Sequence, residues 1–320
     1  MRFDITDLGE SKFMLGMHIT RDRAARTITL DQELYVTKAL EKFGLAKCTP
    51  TRTPGASSSY DDDQKTARDP ELEQPTDLKT YQEKVGTLLY AAISTRPDIA
   101  YAVNKLTQRM SAPRVCDARA CDRVFRYLAG TRTLGLLYGR QRDDRETKTK
   151  SRVAIDAYAD SDWASDKVNR KSVTGWIARL NGDPVSWASK KQSVVSQLTC
   201  EAELYAEAAA INETKWLSGL LGEIGMAPSE PPIIYGDNQS AQALSANGIK
   251  SERTKHIAIK YAFIHDEVER GRVQLRWVPT TEQLADVLTK ALARPLHEGL
   301  RARLMVNAEA KGVSFRGGVE

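Results

Sequence analysis

The chain has 320 residues, of which 41% are hydrophobic and 28% charged, with a formal net charge of +5 and a sequence pI near 8.9. That length suits two domains, each with its own core, and the mild positive charge permits a nucleic-acid partner without demanding one. No apolar run approaches a membrane span and no charged-then-apolar leader opens the chain, so the reading is a soluble intracellular protein, cytoplasmic first and nuclear second, with no membrane partner. Cys48, Cys116, Cys121 and Cys200 form no CxxC pair and have no His at finger spacing, which argues against structural zinc and for reduced thiols.

In chain order, Phe13 to Ile19 and Thr27 to Leu30 predict a hairpin. Asp31 is placed to cap a helix from Gln32 to Phe43 that buries Leu34, Ala39, Leu40 and Phe43 and ends at Gly44. Residues 47 to 77 are rich in Pro, Ser, Thr and Asp and predict a long surface connection. From Tyr81 to Tyr138 the apolar spacing is helical, broken at Pro97, and reads as a packed core without chemistry. Residues 139 to 152 are charged throughout and predict a linker.

The richest stretch is Val153 to Trp163, which predicts a strand running into a group of carboxylates. Alternation puts Val153, Ile155, Ala157 and Ala159 on one face and Asp156, Tyr158, Asp160 and Asp162 on the other. Residues 172 to 180 and 184 to 189 flank Asn181-Gly182-Asp183, whose composition suits a hairpin turn. A helix (201 to 221), a strand (233 to 235), a helix from about 239, a basic helix (254 to 270), a strand (273 to 278) and a final helix (282 to 293) follow. A meander followed by alternating helices and strands implies a mixed sheet with helices on its faces.

Three further carboxylates occupy settings comparable to that of Asp160. Glu203 lies near a helix start, Asp237 follows an apolar strand, and Asp286 lies in the final helix. Four carboxylates converging on one point need neutralising, and two Mg²⁺ ions do so in phosphodiester hydrolysis. Simpler roles stand beside this one. Aspartates after strands form turns, Asp237 suits the cap of the helix near Gln239, and Asp286 borders an apolar stripe behind a capping box of Thr280 and Gln283. Lys250, Arg253, Lys255, His256 and Lys260 crowd the start of the basic helix, where phosphate contact competes with an ordinary solvated face; Ile257, Tyr261, Ile264 and Val268 form its apolar stripe.

The second half resembles the ribonuclease H domain of copia-type retrotransposon Pol polyproteins. The resemblance rests on Tyr158-Ala159-Asp160-Ser161-Asp162-Trp163-Ala164, Asn181-Gly182 through Gln192, Glu201-Ala202-Glu203, Asp237-Asn238-Gln239-Ser240-Ala241, Arg253-Thr254-Lys255-His256-Ile257 and Gln283 through Lys290. The first half is similar to the end of the reverse transcriptase in the same polyproteins, through Asp7-Leu8-Gly9, Phe13-Met14-Leu15-Gly16 and Ser94-Thr95-Arg96-Pro97-Asp98-Ile99-Ala100. The resemblance implies an α/β chain: a ribonuclease H-like mixed five-stranded sheet with flanking helices, preceded by a mainly helical reverse-transcriptase thumb and connection remnant. Its division would be 1–138 polymerase remnant, 139–152 linker, 153–300 ribonuclease H-like domain and 301–320 tail.

The resemblance also implies hydrolysis of the RNA strand of RNA–DNA hybrids by two Mg²⁺ ions, for which Mn²⁺ can substitute, held by Asp160, Glu203, Asp237 and Asp286. Asp162 competes with Asp160 for its place, and Glu201 with Glu203. Arg253, Lys255, His256 and Lys260 would touch nucleic acid, and the rest of the polyprotein would be the protein partner. The alternative is a non-catalytic nucleic-acid-binding or structural remnant of a truncated element. Trp277-Val278-Pro279-Thr280-Thr281 lacks the mobile His that related cellular enzymes carry before the last helix. Polymerase activity is not expected, because Tyr60-Asp61-Asp62-Asp63 has no flanking apolar alternation to make it the metal-binding hairpin of a reverse transcriptase.

Overall fold

The computed structural model describes residues 9–55, 70–139, 153–164, 169–196, 198–237 and 255–308, with side chains from 259 onward in the last segment. The charged stretch from Arg140, the Tyr60–Asp63 tetrad, the expected helix near Gln239 and Arg253 therefore lie outside the described residues.

The first half pairs a helical core with a first sheet. Strands β1 (Phe13–Met14), β2 (Met17–Asp22) and β3 (Thr27–Asp31) form an antiparallel meander, the expected hairpin being β2–β3 and β1 an added strand. Helix α1 (Glu33–Lys42) follows, and the Asp31 carboxylate accepts from the Glu33 N–H at 3.1 Å. Its buried face is Val36, Ala39 and Leu40; Leu34 points outward, because the core is reached only from the opposite side of the helix. Helices α2 (Leu78–Ser94), α3 (Ala100–Thr107) and α4 (Val115–Ala129) complete the cluster. Pro97 does interrupt the helical run, opening a 3-10 turn at Pro97–Ile99.

The helical reading to Tyr138 fails at its end. Leu134–Tyr138 is a strand, β4, paired with β3, since its apolar residues serve both a sheet neighbour and the core. The expected tail from 301 is corrected too. Residues 301 to 304 finish a helix, and the next strand adds to β4, so the chain returns to the first sheet.

The second sheet is the mixed five-stranded one expected, built from β5 (Ile155–Asp162), β6 (Val173–Leu180), β7 (Asp183–Lys191), β8 (Ile233–Gly236) and β9 (Gln274–Trp277), in the order β7-β6-β5-β8-β9. The first three run antiparallel, and β8 and β9 run parallel to β5. At the β6–β7 turn Asn181 and Gly182 both take positive φ, which is why those two residues suit it. Helix α5 (Thr199–Glu223) covers one face, against Ala157, Ala159 and Ala178, and α6 (Lys255–Glu269) packs on α5. Small side chains there let α5 lie close to the strands.

The opposite face, with Tyr158 and Ile177, is covered by the C-terminal segment. A continuous helix from 282 to 293 does not form. Instead a 3-10 turn (Thr280–Glu282) precedes the short α7 (Asp286–Thr289), then α8 (Arg294–Leu304) and β10 (Val306–Asn307). Gln283 is spent on tertiary bonds, donating to the Ala159 carbonyl at 2.9 Å and accepting from the Ala285 N–H at 3.2 Å, so it cannot cap a helix. Pro295 sits in the first turn of α8, where its missing N–H is harmless; inside a longer helix it would break the ladder.

Candidate active site

The parallel pairing of β5 with β8 makes both strands leave the sheet at the same edge. Asp160 near the end of β5 and Asp237 just after β8 are thereby neighbours. Glu203, one turn into α5, reaches the same point because α5 packs directly on β5. One carboxylate oxygen from each of Asp160, Glu203 and Asp237 lies within 4.8 Å of the others. Of the two open choices, it is Asp160 and Glu203 that meet, while Asp162 and Glu201 fall outside this cluster.

Asp286 approaches from the other face of the sheet on α7 and is buried. It does not complete a four-oxygen cluster. Lys290 contacts both, its Nζ 2.8 Å from Asp286 Oδ1 and 3.7 Å from Asp160 Oδ2. Thr289 donates its hydroxyl to the same Asp160 oxygen, and Thr280 donates to Asp237 Oδ2 at 3.0 Å. Thr280 thus belongs to the site rather than to a capping box. The α7 helix can come this close because the residue opposite Asp160 on β6 is Gly175, where a Cβ would sit 2.5 Å from Thr289 Cγ2.

The cluster's electrostatics follow from this crowding. Burial, and next the neighbouring Asp160 and Asp237, push the Glu203 carboxyl well above the usual carboxylate range. Burial and Asp160 likewise push Asp286 up to about 7, although Lys290 opposes the rise. For Lys290 itself burial disfavours the charge, but Asp160 and Asp286 outweigh it and hold the pKa above the ordinary lysine value. Such a group of hard oxygens, strained by like charge and only partly relieved, is chemically suited to a divalent cation. Asp160, Glu203 and Asp237 fit that role directly; Asp286 lies outside their cluster, paired with Lys290.

The other sequence candidates are placed less fully. Lys255 and His256 begin α6, with their side chains outside the described residues, and Arg253 lies outside them altogether. Lys260 is described, with its ammonium 5.8 Å from the centre of the Tyr205 ring on α5. Tyr261 and Ile264 are buried as the stripe predicts.

No family model matches the chain. It is 37% identical over 310 residues to the "Retrovirus-related Pol polyprotein from transposon RE1" of Arabidopsis thaliana, covering 95% of this chain and 20% of that protein. It is 35% identical over 292 residues to the corresponding polyprotein from transposon TNT 1-94 of Nicotiana tabacum, covering 91% of this chain and 21% of that protein. An uncharacterized mitochondrial protein of Arabidopsis thaliana is 33% identical over 216 residues, 68% of this chain and 82% of its own length. The chain thus spans about one fifth of the length of the polyproteins. Solved structures that align with it include a ribonuclease H1 isolated from compost (18% identity, 42% of this chain and 92% of that one, TM-score 0.33). A foamy viral protease-reverse transcriptase in complex with RNA/DNA hybrid also aligns (15% identity, 70% of this chain and 27% of that one, TM-score 0.36).

Proposed function

This chain belongs to the family of copia-type retrotransposon Pol polyproteins, and from that premise we propose that its second half hydrolyses the RNA strand of RNA–DNA hybrids in a divalent-metal-dependent reaction. The observation that carries the reading is the meeting of Asp160, Glu203 and Asp237 oxygens within 4.8 Å at one sheet edge, with Lys290 contacting both Asp160 and Asp286 beside them. Asp160 is central, since it is the residue shared by the three-carboxylate group and the Lys290 contact.

Asp160, Glu203, Asp237 and Asp286 would hold two Mg²⁺ ions, which when bound supply charge neutralisation at the phosphate and activation of water. The chain's own contribution is to hold those oxygens on rigid elements. Thr289 and Thr280 fix two of the carboxylates from outside the cluster, and Gln283 ties their loop to β5. Glu203 and Asp286 would give up their protons as the cations enter. Lys255, His256 and Lys260, in the sequence segment that follows Arg253, would contact phosphates of the hybrid. The division into a polymerase remnant and a nuclease domain belongs to the same proposal, as does partnership with the rest of the polyprotein.

The test uses the purified chain and a labelled RNA–DNA hybrid, with Mg²⁺ or with chelator. Cleavage should require the metal, and Asp160→Asn should lower it by several orders of magnitude while the protein stays folded. Asp162→Asn should cleave within about tenfold of the unaltered chain, since Asp162 stands outside the cluster. Tight hybrid binding without metal-dependent cleavage would instead identify a binding module.

A further inference from the structure

Lys290 is the group at this site that neither the proposed chemistry nor the four-carboxylate pattern uses. Its position follows from the local fold. In α7, Asp286 and Lys290 are four residues apart and face the same way, and the helix stops at Thr289, so Lys290 takes extended backbone as the cap. The ammonium then contacts both Asp286 Oδ1 (2.8 Å) and Asp160 Oδ2 (3.7 Å).

The contact is tight on one side and loose on the other. Lys290 Nζ lies 2.8 Å from Asp286 Oδ1 but 3.7 Å from Asp160 Oδ2, beyond hydrogen-bond reach, so charge alone holds it to Asp160. The Lys290 side chain also keeps about a third of its surface in water, at 35% exposure, whereas Asp286 and Asp160 keep 1% and 4%. An ammonium on a flexible stem can therefore leave for solvent at small cost, and the carboxylates cannot follow it.

We propose that Lys290 is a positioning residue, an internal counter-cation that keeps Asp160 and Asp286 assembled without metal and is displaced when a divalent cation takes the Asp160–Asp286 side of the site. This rests on the metal-dependent reading above. A single ammonium neutralises one charge of the pair; a divalent cation neutralises both. Displacement therefore raises the metal concentration the site requires, and prevents the collapse or splaying that two buried like charges would otherwise cause.

The experiment is calorimetric titration of MgCl₂ into the full chain and into Lys290→Met, each without nucleic acid. Removing the competitor should tighten Mg²⁺ binding by about fivefold, the scale of one partly exposed ion pair plus one removed like charge. The melting temperature of Lys290→Met should fall in chelator and recover in Mg²⁺, giving a larger metal-induced shift than in the unaltered chain. A merely structural lysine would not yield tighter metal binding on removal. In the unaltered chain, acylation of Lys290 followed by mass spectrometry should speed up when Mg²⁺ is added, a measurement that needs no variant. An Mg²⁺ affinity unchanged within about twofold, or Lys290 acylation indifferent to Mg²⁺, would overturn the displacement while leaving the metal site standing. Absence of saturable Mg²⁺ binding in both proteins would overturn the metal reading and this proposal with it.

Discussion

Glu207 shows at the level of one residue what burial alone does to a carboxylate in this fold. It lies one helical turn beyond Glu203 on α5, is almost fully buried, and its Oε2 has no hydrogen-bond partner among the described residues. Burial pushes its pKa from 4.5 to about 8. Between those values the folded protein keeps a proton that the unfolded chain has lost, so stability falls as pH rises, by on the order of 1 kcal/mol per pH unit. Glu207→Gln removes that dependence. Its melting temperature should match the unaltered chain near pH 5 and exceed it near pH 8; parallel profiles for the two proteins would refute the assignment. Glu203 and Asp286 were legible in the sequence because their blocks carry a family pattern, whereas Glu207 has no pattern, only a burial that no spacing announces. Lys290 was visible as part of the Gln283–Lys290 block, but its role depends on where β5 lies relative to α7, and that is set by long-range packing.

Among the elements, α7 is the one whose placement decides the site, and a single missing side chain makes that placement possible. A Cβ at Gly175 would meet Leu288 Cβ at 2.9 Å and the Ala285 carbonyl oxygen at 3.1 Å, besides the contact with Thr289. Two of those neighbours are a side chain at its base and a backbone atom, neither of which can rotate away. Gly175→Ala should therefore push α7 off the sheet, costing roughly 1–3 kcal/mol and separating Thr289, Asp286 and Lys290 from Asp160. Hybrid cleavage should drop by at least about tenfold even where the protein remains folded, because a misplacement near 1 Å is already costly. Cleavage at the unaltered rate by a folded Gly175→Ala chain would mean that α7 does not need this approach. The sequence showed the strand and the acidic block, but predicted one helix from 282 to 293. Apolar spacing is the same for a helix and for a short turn that spends its polar residues on tertiary bonds. The two-residue β10 was illegible for a related reason, since its partner β4 lies about 170 residues earlier and no local pattern encodes such a pairing.

At the scale of the whole molecule, the two halves are joined by polar groups in their shared interior as well as by the β4–β10 pairing. Arg96 and Asp98, in the Ser94–Ala100 block, form a buried two-pronged ion pair at 2.8 and 2.9 Å. Tyr127 donates to Asp98 at 2.6 Å, and Arg96 donates to Thr131. From α8, His297 Nε2 lies 3.3 Å from the Asp98 carbonyl and Arg301 donates to the Tyr127 hydroxyl at 3.1 Å, while Trp187 on β7 donates to the Ala92 carbonyl on α2 at 2.8 Å. The block that carried resemblance to a polymerase thus serves here as the seat of the second half's last helices. Asp98→Ala would leave Arg96 charged, buried and without its carboxylate, a loss of roughly 3–5 kcal/mol. Arg96→Met with Asp98→Leu removes both charges and should cost less than Asp98→Ala alone. If the halves are one cooperative unit, urea unfolding of Asp98→Ala should show far-ultraviolet circular dichroism, Trp fluorescence and hybrid cleavage failing together, at a lower midpoint than in the unaltered chain. Two separated transitions, with cleavage surviving the first, would show that the second half stands without its seat.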